Sequence, residues 1–281
     1  MKKAVTVSVF PSSWDYEKIF TTAKKVGFDG VELNFGEEAN LTPNTTDEEY
    51  AAIKAAADKA GIELKSIAAG FAWICSPTSN DEATRIKAKG LVEGCLYACK
   101  KIGAESVLIV PGYCGVDFIP DAEVVYYIDA YNRALEWMHE YKGLAEELGV
   151  DIAIENVWNK FLTSPLDMRN IIDEVNSERV GCYFDVGNVL VNGYPEHWIK
   201  ILGKRIKKVH FKDFDRDIGN LSGFVDLLKG HVDYTAVMKA FKEVGYDGWC
   251  TAEFGCLEDE SQAEAYAKSI ADAMEDIFRR V

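Results

Sequence analysis

The sequence lacks the patterns that mark several common kinds of site. It has seven cysteines but no Cys-x-x-Cys pair, four histidines, and neither the Gly-x-Gly-x-x-Gly nor the P-loop pattern of nucleotide-binding turns. No apolar run approaches the roughly 20 residues that span a bilayer. A structural zinc cluster, a glycine-rich phosphate loop and a transmembrane helix are therefore not expected.

The chain also has fewer basic residues than acidic ones. The chain has 46 acidic and 31 basic residues, a formal net charge of -15, which opposes binding to a nucleic-acid backbone. The odd number of cysteines, several of them in apolar runs, indicates reduced thiols. The apolar run at 4–10 is too short for a signal peptide and is typical of a first strand. We therefore expect a cytoplasmic protein that binds neither nucleic acid nor a membrane.

Segments typical of strands and of helices alternate along the whole chain. The strand-like segments are short and rich in valine and isoleucine, as in a parallel sheet covered by helices. Strands are predicted at 4–9, 31–33, 62–68, 106–110, 151–154, 180–184, 207–211 and 249–252, and helices at 15–26, 47–60, 81–102, 122–148, 165–175, 194–202, 234–244 and 260–279. The pattern favours an α/β fold, a single (β/α)8 TIM barrel domain over residues 1–281, with an open sheet of five or six strands as the rival.

Local signals mark several helix ends. Ser13 is a candidate cap for the first helix, and Ser164 followed by Pro165 predicts the start of the fifth. Gly61 and Gly103 each follow a helical pattern and predict its end. These signals support the division into repeated strand-helix units.

Four successive strands end in residues that can bind a metal. Glu155, Asp185, His210 and Glu253 follow the apolar parts of strands five to eight, at separations of 30, 25 and 43 residues. In a TIM barrel the carboxyl ends of the strands form the active face, and neighbouring strands lie ~4.8 Å apart. We therefore expect the four side chains to converge.

The composition of this group favours a cation. A single glutamate at a strand end is usually solvated or paired, and a single histidine is often a core residue. Three carboxylates brought together without a cation would raise each other's pKa and cost stability. Three carboxylates and one imidazole suit one fairly hard divalent metal ion, Mn²⁺, Mg²⁺ or Co²⁺, with Zn²⁺ as a further candidate.

Motifs around these residues resemble a known superfamily. They are IEN at 154–156, FDVGN at 184–188, VHFKDFDR at 209–216, KGHVDY at 229–234, GYDGW at 245–249 and AEF at 252–254. The chain resembles the xylose-isomerase-like TIM barrels, which include sugar isomerases, ketose 3-epimerases, inosose dehydratases and endonuclease IV. The resemblance implies that Glu155, Asp185, His210 and Glu253 bind one metal, and that Glu155 and Glu253 are the catalytic acid/base pair.

The same resemblance implies an activity and a substrate class. The expected reaction is isomerisation or epimerisation of a small sugar or sugar phosphate, by removal and return of a proton through an enediolate. The expected substrate-binding residues are Arg216, Asn188, Glu32, Lys212, Asp213 and Trp158. Glu32 is expected to point into the barrel mouth if strand two ends there. The free-ketose epimerases carry histidine and glutamate where this chain has Asn188 and Phe161, which disfavours a free ketohexose.

Three alternatives stay open at this point. A dehydratase of the inosose type would use the same site to expel water. A non-catalytic sugar-binding barrel would keep the ligands without turnover. A DNA-repair nuclease would need three zinc ions and many more histidines than four. The apolar helices also make a homo-oligomer a possibility that the sequence does not decide.

Overall fold

Eight parallel strands form a closed barrel. A computed structural model describes residues 1–280. The barrel strands are β1 Lys2–Thr6, β2 Gly30–Phe35, β3 Ser66–Ala69, β4 Ser106–Ile109, β5 Asp151–Glu155, β6 Val180–Asp185, β7 Ile206–Phe211 and β10 Trp249–Ala252. Their order around the barrel is β1-β10-β7-β6-β5-β4-β3-β2. The predicted single-domain (β/α)8 barrel is confirmed, and the open sheet is excluded because β1 pairs with β10.

Eight helices surround this barrel. They are α1 Tyr16–Val26, α2 Asp47–Ala60, α3 Glu82–Ile102, α4 Tyr127–Leu148, α5 Pro165–Val175, α6 Pro195–Leu202, α7 Tyr234–Val244 and α8 Ala263–Phe278. Gly61 and Gly103 end α2 and α3 in the left-handed conformation, with φ of 71° and 82°, where glycine meets no Cβ penalty. Ser164 caps α5 through its hydroxyl, which accepts from the backbone N–H of Asp167.

Several predicted boundaries differ from the structure. The cap of α1 is Asp15 rather than Ser13. The first strand ends at Thr6, and Val7–Val9 form a 3-10 turn.

The largest boundary difference is at α4, which begins at Tyr127 rather than 122. Asp121 takes a left-handed φ of 57°, which a helix does not tolerate. The N–H of Val125 donates to Cys114 O at 2.9 Å instead of to a helical carbonyl. A tertiary hydrogen bond therefore holds this segment as a loop.

A short antiparallel hairpin follows β7 on the active face. It consists of β8 Asp213–Phe214 and β9 Phe224–Val225. The backbone returns close to it at Gly230, where an added Cβ would lie 2.3 Å from Asp213 Oδ1. Only glycine fits such an approach, so this position lets the chain pack closely against the hairpin.

No helix within residues 1–280 is long and apolar enough to cross a membrane. The cytoplasmic location and the homo-oligomer stay predictions.

Candidate metal centre

The structure brings the four predicted ligands together. Glu155 and Asp185 are the last residues of β5 and β6, His210 lies near the end of β7, and Glu253 directly follows β10. These four strands are neighbours in the barrel. One oxygen or nitrogen from each side chain lies within 4.8 Å of the others. That spacing allows all four to bind one ion.

Three buried atoms at the centre lack a hydrogen-bond partner within the described part of the chain. They are Asp185 Oδ2, His210 Nδ1 and Glu253 Oε2. His210 Nδ1 and Glu253 Oε2 lie 2.8 Å apart, an ion-pair distance without hydrogen-bond geometry. Buried polar atoms are almost always satisfied, and each unsatisfied one costs free energy. A divalent cation would satisfy all three, so these residues fit a metal ion.

Lys212 places a positive charge beside the same carboxylates. Its Nζ lies 2.7 Å from Glu253 Oε2 and 3.4 Å from Asp185 Oδ2. Burial lowers the pKa of Lys212, but the neighbouring carboxylates outweigh burial and raise it above its ordinary value. Lys212 therefore stays charged and partly balances the acidic cluster.

The two glutamates of the centre have opposite pKa shifts. Burial raises the pKa of Glu155 to about 7, although the nearby imidazole of His210 opposes this. Burial also tends to raise the pKa of Glu253, but the charges of Lys212 and His210 outweigh it and lower that pKa. In the metal-free site, one glutamate is therefore about half protonated near neutral pH, while the other is ionised.

The remaining two predicted ligands, Asp185 and His210, also have shifted pKa values. Burial raises the pKa of Asp185, and Lys212 opposes the shift. Burial lowers the pKa of His210, but the charges of Glu253 and Glu32 outweigh it and raise it well above the ordinary value. Groups whose charge states depend this strongly on one another are typical of functional sites.

Two cavities open beside the centre. One, of about 560 Å³, is lined by Glu155, His210 and Glu253 together with Phe35, Phe71 and Trp73. The other, of about 760 Å³, is lined by Lys212, Asp213 and Glu253 together with residues from β9 and the chain after β10. Polar groups facing partly apolar walls suit a small polar ligand with apolar faces.

A family profile described as the xylose isomerase-like TIM barrel matches residues 20–277. The chain belongs to this family.

Individual members of the family are distant in sequence. An inosose dehydratase of Lacticaseibacillus casei is 21% identical over 248 residues, which cover 77% of this chain and 80% of that protein. A D-psicose 3-epimerase from Clostridium cellulolyticum H10 has a TM-score of 0.82, 18% identity and 99% coverage of both chains. The IolI protein, solved with a zinc atom, has a TM-score of 0.80 and 20% identity, and covers 100% of this chain and 99% of that one. At these identities the structural likeness shows the fold alone.

In this protein, Asn188 and Trp158 form hydrogen bonds that fix the loop after Asp185. The Asn188 backbone N–H donates to Asp185 Oδ1 at 2.7 Å, and its side chain donates to Asn156 O at 2.9 Å. Trp158 Nε1 donates to Asn188 O at 3.0 Å. Asn156 in turn exchanges two hydrogen bonds with the Asp185 backbone, at 2.8 and 2.9 Å. The sequence motifs contained these residues, but the spacing alone did not indicate this supporting role.

Glu32 lies elsewhere than predicted. It was expected to point into the barrel mouth, but β2 continues to Phe35, and Glu32 is 0% exposed inside the barrel. Its carboxylate contacts His210, Ser66 and Tyr183. The expectation of a mouth-facing Glu32 was therefore wrong, because β2 continues to Phe35 and does not end at Glu32.

Asp213 and Arg216 belong to the hairpin region. Asp213 is buried and accepts from the backbone N–H of Phe214 at 2.8 Å and of Val232 at 3.1 Å, so it fixes the hairpin. Arg216 is exposed in the turn after β8. Substrate contact by Arg216 stays a prediction.

Proposed function

We propose that this protein is an enzyme that uses one divalent metal ion to epimerise or isomerise a small sugar or sugar phosphate. The convergence of Glu155, Asp185, His210 and Glu253 beside a cavity supports this most directly. Both glutamates line that cavity and can therefore reach a bound molecule. Family members named as ketose epimerases share the fold over the full chain.

The four converged residues would hold the ion through three carboxylates and His210 Nδ1. Such a set suits Mn²⁺, Mg²⁺ or Co²⁺, and Zn²⁺ also accepts it. When bound, the ion supplies Lewis acidity that polarises a carbonyl and favours loss of a neighbouring C–H proton.

The two glutamates divide the proton transfers. Glu253, ionised because Lys212 and His210 lie beside it, removes the proton next to the substrate carbonyl. Glu155, whose pKa burial raises to about 7 in the metal-free site, can take up and release a proton near neutral pH, and we assign it the return of the proton. A pair of carboxyl groups with separated pKa values is suited to these two roles. Return to the same carbon from the other face inverts it, and return to the neighbouring carbon isomerises the sugar.

Dehydration is the second candidate reaction. Lys212 Nζ lies 2.7 Å from Glu253 Oε2, within the same cavity lining. A cationic amine there can donate a proton to a departing hydroxyl after Glu253 has removed the C–H proton. Relatives named inosose dehydratase match much of the chain, which supports testing inososes beside sugars.

Exchange of substrate C–H protons with D₂O tests the proposal. Ketoses, ketose phosphates and inososes would be incubated with the protein and Mn²⁺ or EDTA, and followed by NMR and mass spectrometry. We expect Mn²⁺-dependent deuterium incorporation in one substrate class. Loss of 18 mass units in the product would assign the dehydratase instead.

Matched variants connect the exchange to the two glutamates. Glu155→Gln and Glu253→Gln are each expected to lower exchange at least 100-fold, since a positioned acid or base contributes about 10²–10⁴. Glu105→Gln is the control, because Glu105 precedes β4 at the opposite end of the barrel. Failure of the wild-type protein to bind any of Mn²⁺, Mg²⁺, Co²⁺ and Zn²⁺ would refute the metal-dependent mechanism.

A further inference from the structure

The imidazole of His210 is held from two sides. Its Nε2 lies 2.8 Å from Glu32 Oε1, inside the barrel. Its Nδ1 faces the metal centre, 2.8 Å from Glu253 Oε2 and 3.6 Å from Glu155 Oε1. His210 and Glu32 are 1% and 0% exposed. Water therefore does not compete for the contact between them.

Glu32 is itself fixed by two hydroxyl groups. Ser66 Oγ and Tyr183 Oη both donate to Glu32 Oε2. Tyr183 Oη also lies 3.3 Å from Ser66 Oγ and 3.4 Å from Thr251 Oγ1. Because both hydroxyl protons point at Oε2, Oε1 is left to accept from His210. Strands β2, β3, β6, β7 and β10 each contribute one member of this network.

An ionised carboxylate can only accept hydrogen bonds, so the imidazole nitrogen that faces it must carry a proton. The other nitrogen of a neutral imidazole is then free to donate its lone pair. We infer that Glu32 is a positioning residue that holds the His210 proton on Nε2 and so presents Nδ1 to the divalent cation. This inference rests on the proposed metal-dependent function, and it replaces substrate contact as the role of Glu32.

A merely structural role would have a different consequence. A buried carboxylate with three partners contributes to stability wherever it sits, and its loss would lower the free energy of unfolding. A positioning role adds a loss of metal affinity that stability does not explain. Replacing an outer-shell partner of a metal ligand typically weakens binding about 10–100-fold.

Mn²⁺ binding to three proteins tests the inference. Free Mn²⁺ would be measured by EPR in titrations of the wild type, Glu32→Gln and Glu105→Gln. In Glu32→Gln, the side-chain NH₂ group can turn towards His210 Nε2. The imidazole proton then moves to Nδ1, which can no longer donate its lone pair to the metal ion. We expect Glu32→Gln to bind about 10–100-fold more weakly. Glu105→Gln, the same substitution at the far end of the barrel, should bind as the wild type does.

A second measurement needs no substitution in the network. In Zn²⁺-loaded wild-type protein labelled with ¹⁵N-histidine, His210 Nε2 should carry the proton and Nδ1 should show the shift of a metal-bound nitrogen. Proton on Nδ1 would overturn the inference. This readout keeps the test valid if Glu32→Gln does not fold, which circular dichroism would report.

The outcomes separate the two proposals. If folded Glu32→Gln binds Mn²⁺ with the same Kd as the wild type, the role of Glu32 is refuted and the proposed function still stands. Failure of the wild type to bind any of Mn²⁺, Mg²⁺, Co²⁺ and Zn²⁺ refutes both. Weakened binding in Glu32→Gln alone, with Nε2 protonated in the wild type, supports both.

Discussion

Replacing Glu155 by glutamine is expected to stabilise the metal-free protein at pH 8. Burial raises the pKa of Glu155 from 4.5 to about 7, so the folded state binds this proton more tightly than the unfolded state does. Where the folded state binds more protons, the free energy of unfolding falls as pH rises. At about 1.4 kcal/mol per pKa unit, the wild type loses about 3 kcal/mol between pH 4.5 and values above 7 because of this group.

Glutamine removes the ionisation and keeps the shape of the side chain. It therefore removes the penalty that grows with pH, and it also ends the repulsion between Glu155 and Glu253. The variant should exceed the wild type by about 3 kcal/mol at pH 8 and by under about 1 kcal/mol at pH 5, where the folded wild type is already protonated.

Urea denaturation in EDTA at pH 5, 6, 7 and 8, followed by tryptophan fluorescence, measures this difference. Glu105→Gln is a control of opposite sign. Burial tends to raise the pKa of Glu105, but Lys65 and Lys208 outweigh it and lower that pKa. This control should therefore be less stable than the wild type at pH 8. If Glu155→Gln is no more stable than the wild type at pH 8, Glu155 does not carry the proposed buried proton, and its assignment as the proton donor fails.

Two further predictions concern the metal and the backbone around it. Mn²⁺ at 100 times its Kd should raise the stability of the wild type by about 2.7 kcal/mol, or roughly 5 °C in Tm. The thermal shift should fall to a small fraction of this in Asp185→Asn, and equal shifts in both proteins would contradict the assigned ligand. Gly187→Ala should cost about 1–3 kcal/mol in urea denaturation, because the new Cβ would lie 2.6 Å from Lys212 Cβ. Gly143→Ala, in the open middle of α4, should instead stabilise by up to about 1 kcal/mol, and similar effects at the two glycines would refute the steric explanation.

The local chemistry of the sequence is enough to predict most of the fold. Helix-ending glycines such as Gly61 and Gly103 need a left-handed conformation that few other residues adopt, so their positions in the sequence mark real boundaries. The alternation of short apolar strands and helices then leaves few parallel arrangements. The predicted boundaries were wrong where a tertiary contact outweighed local helix propensity. One example is Val125, whose backbone N–H donates to Cys114 O.

The convergence of the metal ligands was also predictable in advance. Strand ends on one face of a barrel must lie together, so residue type and spacing alone predict the proximity of Glu155, Asp185, His210 and Glu253. The structure places one donor atom of each within 4.8 Å of the others. Which residues support these ligands did not follow from spacing. Asn188 and Trp158 fall in the right motifs, but their hydrogen bonds depend on how the loops after β5 and β6 pack.

Glu32 shows where sequence reasoning ends. The sequence by itself determined a barrel with four candidate metal ligands at neighbouring strand ends, because periodicity and residue type are local properties. Only the tertiary structure decided that Glu32 meets His210, which lies 178 positions away along the chain. That contact depends on how far β2 extends and on the register of the closed barrel, because a shift of one residue along a strand turns a side chain from the interior to the outside.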